Sequence, residues 1–143
     1  MKILIGWFMI FFFAASVYAA EVYVNDDRLP ELSKPRAVLY FHADWCPYCK
    51  KFLPTWNAVV NDPANQELAT FVRINSDTAK MLMKKFNIKG VPTLLIFHQS
   101  GGKEVIGDPI NPSTRDFPGA SYRPWNPEEF KRFAADGTTP TPP

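Results

Sequence analysis

The sequence predicts an α/β fold, a sandwich in which helices flank a mixed central sheet. Three observations carry that expectation. Short, nearly continuous apolar runs rich in Val, Tyr and Phe recur along the chain, amphipathic stretches lie between them, and a Gly-Gly turn joins the last two strand-like runs. Strands that alternate with helices and then close in a hairpin combine parallel with antiparallel pairing, which makes the sheet mixed.

The first strand is "RAVLYFHA" (36–43), whose apolar residues at both parities suit burial on both faces. A helix starts at Pro47, since proline lacks only an N–H that a first turn would leave unpaired, and Tyr48, Phe52, Trp56 and Val59 or Val60 follow at helical spacing. Pro54 falls inside that helix and predicts a kink. "ATFVRIN" (69–75) reads as a second strand, with Arg73 on a different face from Phe71. "DTAKMLMKKFNI" (77–88) is an amphipathic helix with Met81, Leu82 and Phe86 inward. "TLLIFH" (93–98) and "KEVI" (103–106) form a hairpin across "QSGG". The last helix opens at "NPEEFKRFA": Asn126 can cap it, Pro127 takes its first position, and Glu128 and Glu129 complement its dipole.

The two ends of the chain differ from this body. "MKILIGWFMIFFFAASVYAAEV" sets Lys2 before an unbroken apolar run and the small residues Val17 and Ala19, the layout of a secretory signal peptide (1–19) cleaved after Ala19. An uncleaved anchor is the rival reading, because the stretch from Ile3 to Ala20 just reaches the roughly 18 residues that span a bilayer. Either reading puts the remainder outside the cytoplasm, with the periplasm as the expected location, where disulfides persist. Residues 20–35 form an N-terminal segment and 36–135 one domain of ordinary size. The Pro/Thr-rich tail 136–143 has nothing apolar to bury and is expected to be disordered. The formal charge is only +2, so no nucleic-acid partner is implied, and Lys50-Lys51 and Lys84-Lys85 read as solvated helix faces.

The only two cysteines, Cys46 and Cys49, lie in "HADWCPYCKKF" at the junction of the first strand and first helix. A structural bridge over two intervening residues removes little chain entropy and is a poor staple. A metal site lacks further ligands, since His42 and His98 are not at finger-like spacing, and haem attachment would need His where Lys50 stands. The chemical alternative is a reaction centre. The positive end of a helix and its unpaired N–H groups stabilise a thiolate, so Cys46, ahead of the first turn, is the more acidic thiol and the nucleophile, with Cys49 turned toward the protein.

"WCPYCK", the preceding strand, Pro54 and the downstream "IKGVPTLLIF" together resemble the thioredoxin family over about residues 36 to 135. The local wording is most similar to secreted thioredoxin-like proteins, among them the carboxy-terminal domain of the bacterial membrane thiol:disulfide interchange reductase. The resemblance implies a thioredoxin fold and thiol-disulfide exchange with client proteins that bear thiols or disulfides. It implies no cofactor beyond the redox-active Cys46–Cys49 disulfide. It also implies a cis bond at Val91–Pro92, with Trp45, Pro47, Tyr48, Val91 and Pro92 meeting the substrate and a membrane thiol-redox partner supplying electrons.

The departures are informative too. Tyr40 stands where the family carries the buried carboxylate thought to manage the resolving thiol's proton, and a phenol is a poor base at neutral pH. Leu53 replaces a second acid, and Arg73 takes the place of a buried lysine. His42, on the same strand face as Tyr40, is read as core packing or, when protonated, as a support for a thiolate. Asp44 is assigned to the loop. Tyr48 cannot become cationic, so a poise between about −270 and −120 mV is expected. The preferred direction is thiol reductant, with disulfide donor or isomerase as runner-up and a non-catalytic partner-binding module as a different class. The long segment 107–125, with Phe117, Tyr122 and Trp125, is either a packed loop or a selector of partners.

Overall fold

A computed structural model describes residues 20–113 and 123–140. Five strands, β1 (Val22–Val24), β2 (Arg36–His42), β3 (Thr70–Asn75), β4 (Thr93–Ser100) and β5 (Lys103–Ile106), form one sheet in the order β1-β3-β2-β4-β5. β1 and β2 both pair parallel with β3, while β2–β4 and β4–β5 are antiparallel, so the sheet is mixed as expected. Among the described residues three α-helices flank it, α1 (Pro47–Val60), α2 (Lys80–Lys85) and α3 (Pro127–Asp136), with a short 3-10 helix at Pro63–Asn65.

The central strand β2 divides the core by parity. Val38 and Tyr40 face α1 and α3, joining Phe52, Trp56, Val59, Phe71, Phe130 and Phe133. Ala37, Leu39 and Phe41 face the other way and pack with Val72, Ile74, Leu82, Phe86, Leu95 and Phe97. On the α1 side the rings of Trp56 and Phe130 stack at 5.4 Å, and Tyr40 meets Phe52 edge-on at 5.2 Å. These offset and edge-to-face contacts are the favoured arrangements of aromatic quadrupoles.

Local signals explain the element ends. Gly101 and Gly102 have φ of +60° and +77° between the paired Ser100 and Lys103, a two-residue turn that matches strand twist and that residues with a Cβ disfavour. Asn126 and Glu129 exchange side-chain-to-backbone bonds of 2.9 and 2.8 Å, a complete capping box, and Gly137 closes α3 in the left-handed region. The helix therefore reaches Asp136, one residue past the expected domain boundary. Residues 137–140 have no regular structure, and 141–143 lie outside the described residues.

Several expectations change. β1 was not foreseen within the segment 20–35. Arg73 lies on the same sheet face as Phe71, because side chains two apart in a strand share a face, and it lines a cavity with Tyr40. α2 is only six residues long, and Met81 is 62% exposed while Leu82 and Phe86 are buried. Its start is held from outside, as the Met81 amide donates to the Asp27 carboxylate at 2.6 Å. Tyr48 is also exposed, although it shares the helical spacing of Phe52 and Trp56. The signal peptide or anchor (1–19), with Phe117 and Tyr122, lies outside the described residues. Trp125 is buried against Phe133 and accepts Thr55 Oγ1 at its carbonyl at 2.6 Å, so this end of the 107–125 segment is packed.

Phe130 is fully buried between Trp56, Phe52 and Phe71. Phe130→Ala is expected to cost about 3–5 kcal/mol and Asn126→Ala about 1 kcal/mol in urea unfolding. Equal losses for the two would contradict the placement of the core under α3.

Candidate active site

β2 ends at His42, and the chain turns through a bond from the Cys46 amide to the Ala43 carbonyl at 3.2 Å. Cys46 is the N-cap of α1 with extended backbone, and its Sγ accepts the Cys49 amide at 3.1 Å. This sulfur thus occupies the place of a capping oxygen, next to donors that favour negative charge. Cys46 and Cys49 form a disulfide with Cα atoms 5.2 Å apart. Both are buried, in a small cluster of their own with Ala43, and Val91 packs against it. The Val91–Pro92 peptide is cis, and Pro92 is buried beside the partly exposed Val91.

The outer rim is aromatic. Trp45 is 66% exposed, yet its indole N–H donates to both Asp77 carboxylate oxygens at 3.0 and 3.2 Å, which fixes the ring above the loop. Tyr48 is exposed as well, with the Lys51 ammonium 5.6 Å from its ring centre. Pro47 is exposed between them, and Asp44 is an exposed loop residue. Two exposed rings thus flank the buried disulfide.

Beneath the disulfide the surroundings are polar. The buried Tyr40 hydroxyl donates to the Cys49 carbonyl at 3.3 Å. A cavity of about 170 Å3 is lined by Tyr40, His42, Cys49, Leu53 and Arg73, among others. Arg73 pairs with Glu21 at 2.7 Å, and the other Glu21 oxygen accepts Trp56 Nε1 at 2.5 Å. Glu21 went unremarked in the sequence, where a single carboxylate ahead of "VYV" carries no signal. β1 brings it to the cavity's flank.

His42 is 5% exposed, and its Nε2 has no hydrogen-bond partner among the described residues. Burial, and then the Arg73 cation, lower its pKa from the ordinary 6.5, against weaker opposing pulls from Asp44, Glu21 and Asp77. The ring is therefore neutral near pH 7. Of the two readings of His42, core packing suits its burial, and desolvation disfavours the cation that support of a thiolate would need. Among the described residues no group of three or more His, Cys, Asp or Glu is placed to hold a metal ion.

A family model described as Thioredoxin matches residues 21–113. A protein named protein disulfide isomerase-like 2-3 from Oryza sativa is 34% identical over 73 residues, covering 51% of this chain and 16% of that protein. Thiol:disulfide interchange protein DsbD from Haemophilus ducreyi is 34% identical over 83 residues, covering 53% of this chain and 14% of that protein. This chain thus corresponds to a minor part of these relatives' length. Among solved structures, a mutant thioredoxin from Halobacterium salinarum aligns at a TM-score of 0.54 and 20% identity, covering 86% of this chain and 96% of that one. A thioredoxin from Trichomonas vaginalis aligns at 0.52 and 16% identity, covering 64% and 85%. At such identities the structures show the fold.

The lowered His42 pKa has a thermodynamic consequence. Below 6.5 the unfolded chain takes a proton that the folded one refuses, so this contribution to stability is full above 6.5 and declines as pH falls toward the folded value. Urea unfolding between about pH 8 and about pH 5 is expected to show that decline in wild type and a shallower one in His42→Gln. Identical slopes would mean that other groups cause it.

Proposed function

This chain belongs to the thioredoxin family, and on that premise we propose that it is a thiol reductant of the cell envelope. Its domain is a thiol-disulfide oxidoreductase built on the C-x-x-C pair Cys46–Cys49. In the proposed direction the reduced Cys46 thiolate attacks a client disulfide and forms a mixed disulfide. Cys49 then attacks Cys46, the client leaves as a dithiol, and the Cys46–Cys49 disulfide is regenerated. A membrane thiol-redox partner returns two electrons to the pair.

The observation that carries the reading is the Cys49 amide on Cys46 Sγ at 3.1 Å, which puts the attacking sulfur at the positive end of α1. In this reading Trp45, Pro47 and Tyr48 contact the client on one side of the sulfurs, and the backbone of Val91, ahead of Pro92, lines the other. The envelope location rests on the leader-like residues 1–19, and the reducing direction on the local likeness to the membrane interchange reductase. A second reading, disulfide donor or isomerase, is favoured by the names of the similar plant proteins.

Cys49→Ala is expected to accumulate covalent adducts with client proteins, and Cys46→Ala to be inert in insulin reduction with dithiothreitol as donor. If both single variants still reduce insulin, the exchange mechanism is wrong and a non-catalytic binding module becomes the better account.

A further inference from the structure

Resolution of the mixed disulfide needs a base, because the Cys49 thiol must lose its proton before it can attack. Cys49 and His42 line one cavity of about 170 Å3, together with Tyr40, Asp44, Lys50 and Arg73. That volume is ample for water, and polar groups surround it. Lys50 and Arg73 are cationic donors. Tyr40 gives its hydroxyl hydrogen to the Cys49 carbonyl. Asp44 is exposed to solvent. His42 differs from all of them: its ring is buried, and its Nε2 has no partner among the described residues. A buried nitrogen without a protein partner carries a desolvation cost and calls for a bound water or a chemical role.

We propose that His42 Nε2 accepts the proton of the resolving thiol through water held in this cavity. The inference rests on the exchange activity proposed above. In the mixed disulfide the Cys49 Sγ proton passes to Nε2, and the thiolate attacks Cys46 Sγ. The bond between Cys46 and the client sulfur breaks as the Cys46–Cys49 bond forms. The client gains the two electrons that the cysteine pair loses, and the imidazolium passes its proton to the departing thiolate or to solvent. The groups that face His42 set its readiness: Tyr40 on its own strand, with ring centres 5.5 Å apart, Tyr23 on β1 at 5.9 Å, Arg73 on β3, and Glu21, Asp44, Asp77 and Lys50 around them. Burial and Arg73 outweigh the three carboxylates and keep the ring neutral and able to accept.

Stopped-flow reaction of the reduced protein with dithiodipyridine separates the steps, since one thiopyridone is released when Cys46 attacks and the other when Cys49 resolves. In wild type the second release is expected to be level with pH above the His42 titration and to fall as pH drops through that titration, which burial and Arg73 place below the ordinary 6.5. In His42→Gln it should be about tenfold slower or more near neutral pH and rise with hydroxide without levelling, while the first release persists. A second release with the same pH profile in both proteins overturns the inference. So does a wild-type second release that is first order in hydroxide throughout, a result that decides the matter even if His42→Gln does not fold. Absence of two successive releases in wild type would instead refute the exchange mechanism, and this inference with it.

Discussion

The hydrogen bond from the Cys49 amide to Cys46 Sγ is the contact on which the rest of the structure depends. It exists only if β2 stops at His42 and α1 starts with Cys46 as its cap. A shift of one residue would rotate the cysteines about 100° around the helix. β2 fixes that endpoint well. It lies between β3 and β4, and six of its seven residues, Ala37 to His42, are buried. A slip in register would move every one of its side chains to the opposite face. The sheet thus determines where the reactive sulfur sits.

Helix α1 is held in turn by its underside. Phe52 and Trp56 lock into the ring cluster with Tyr40, Phe71 and Phe130. Pro54 removes one helical N–H, which leaves the Lys50 carbonyl without its usual partner, but Lys50 is exposed and water can serve. Between this apolar floor and the disulfide lies a thin polar layer of the Tyr40 hydroxyl, His42 and the Arg73–Glu21 pair. The site is therefore two-sided: exposed aromatic rings lie on one side of the sulfurs and a buried polar layer on the other. A wholly apolar floor would raise the cost of every thiolate formed there.

Much of this was legible in the sequence, for local reasons. Pro47, the Gly101-Gly102 turn and the Asn126–Glu129 box each encode an element end within a few residues, and the unbroken apolar run of β2 encodes a central strand. What escaped depends on distant partners. "VYV" becomes a strand only because β3 offers it an edge, and Glu21 reaches Arg73 across 52 residues of sequence. Met81 faces solvent on a six-residue helix too short for periodicity to decide its faces, and Asp27, far away in sequence, anchors that helix's start. The face of Arg73 follows from strand parity alone, which puts it with Phe71 and not opposite it. His42 was visible as a residue, but its neutrality is a property of burial, which no motif records.

Cys46–Cys49 is a reversible reaction centre and not a staple. The most direct test is equilibration of the purified protein against glutathione redox buffers, with the thiols counted by alkylation and mass. One two-electron transition between about −270 and −120 mV is expected. A disulfide that stays oxidised below about −300 mV, as structural bridges do, would contradict it.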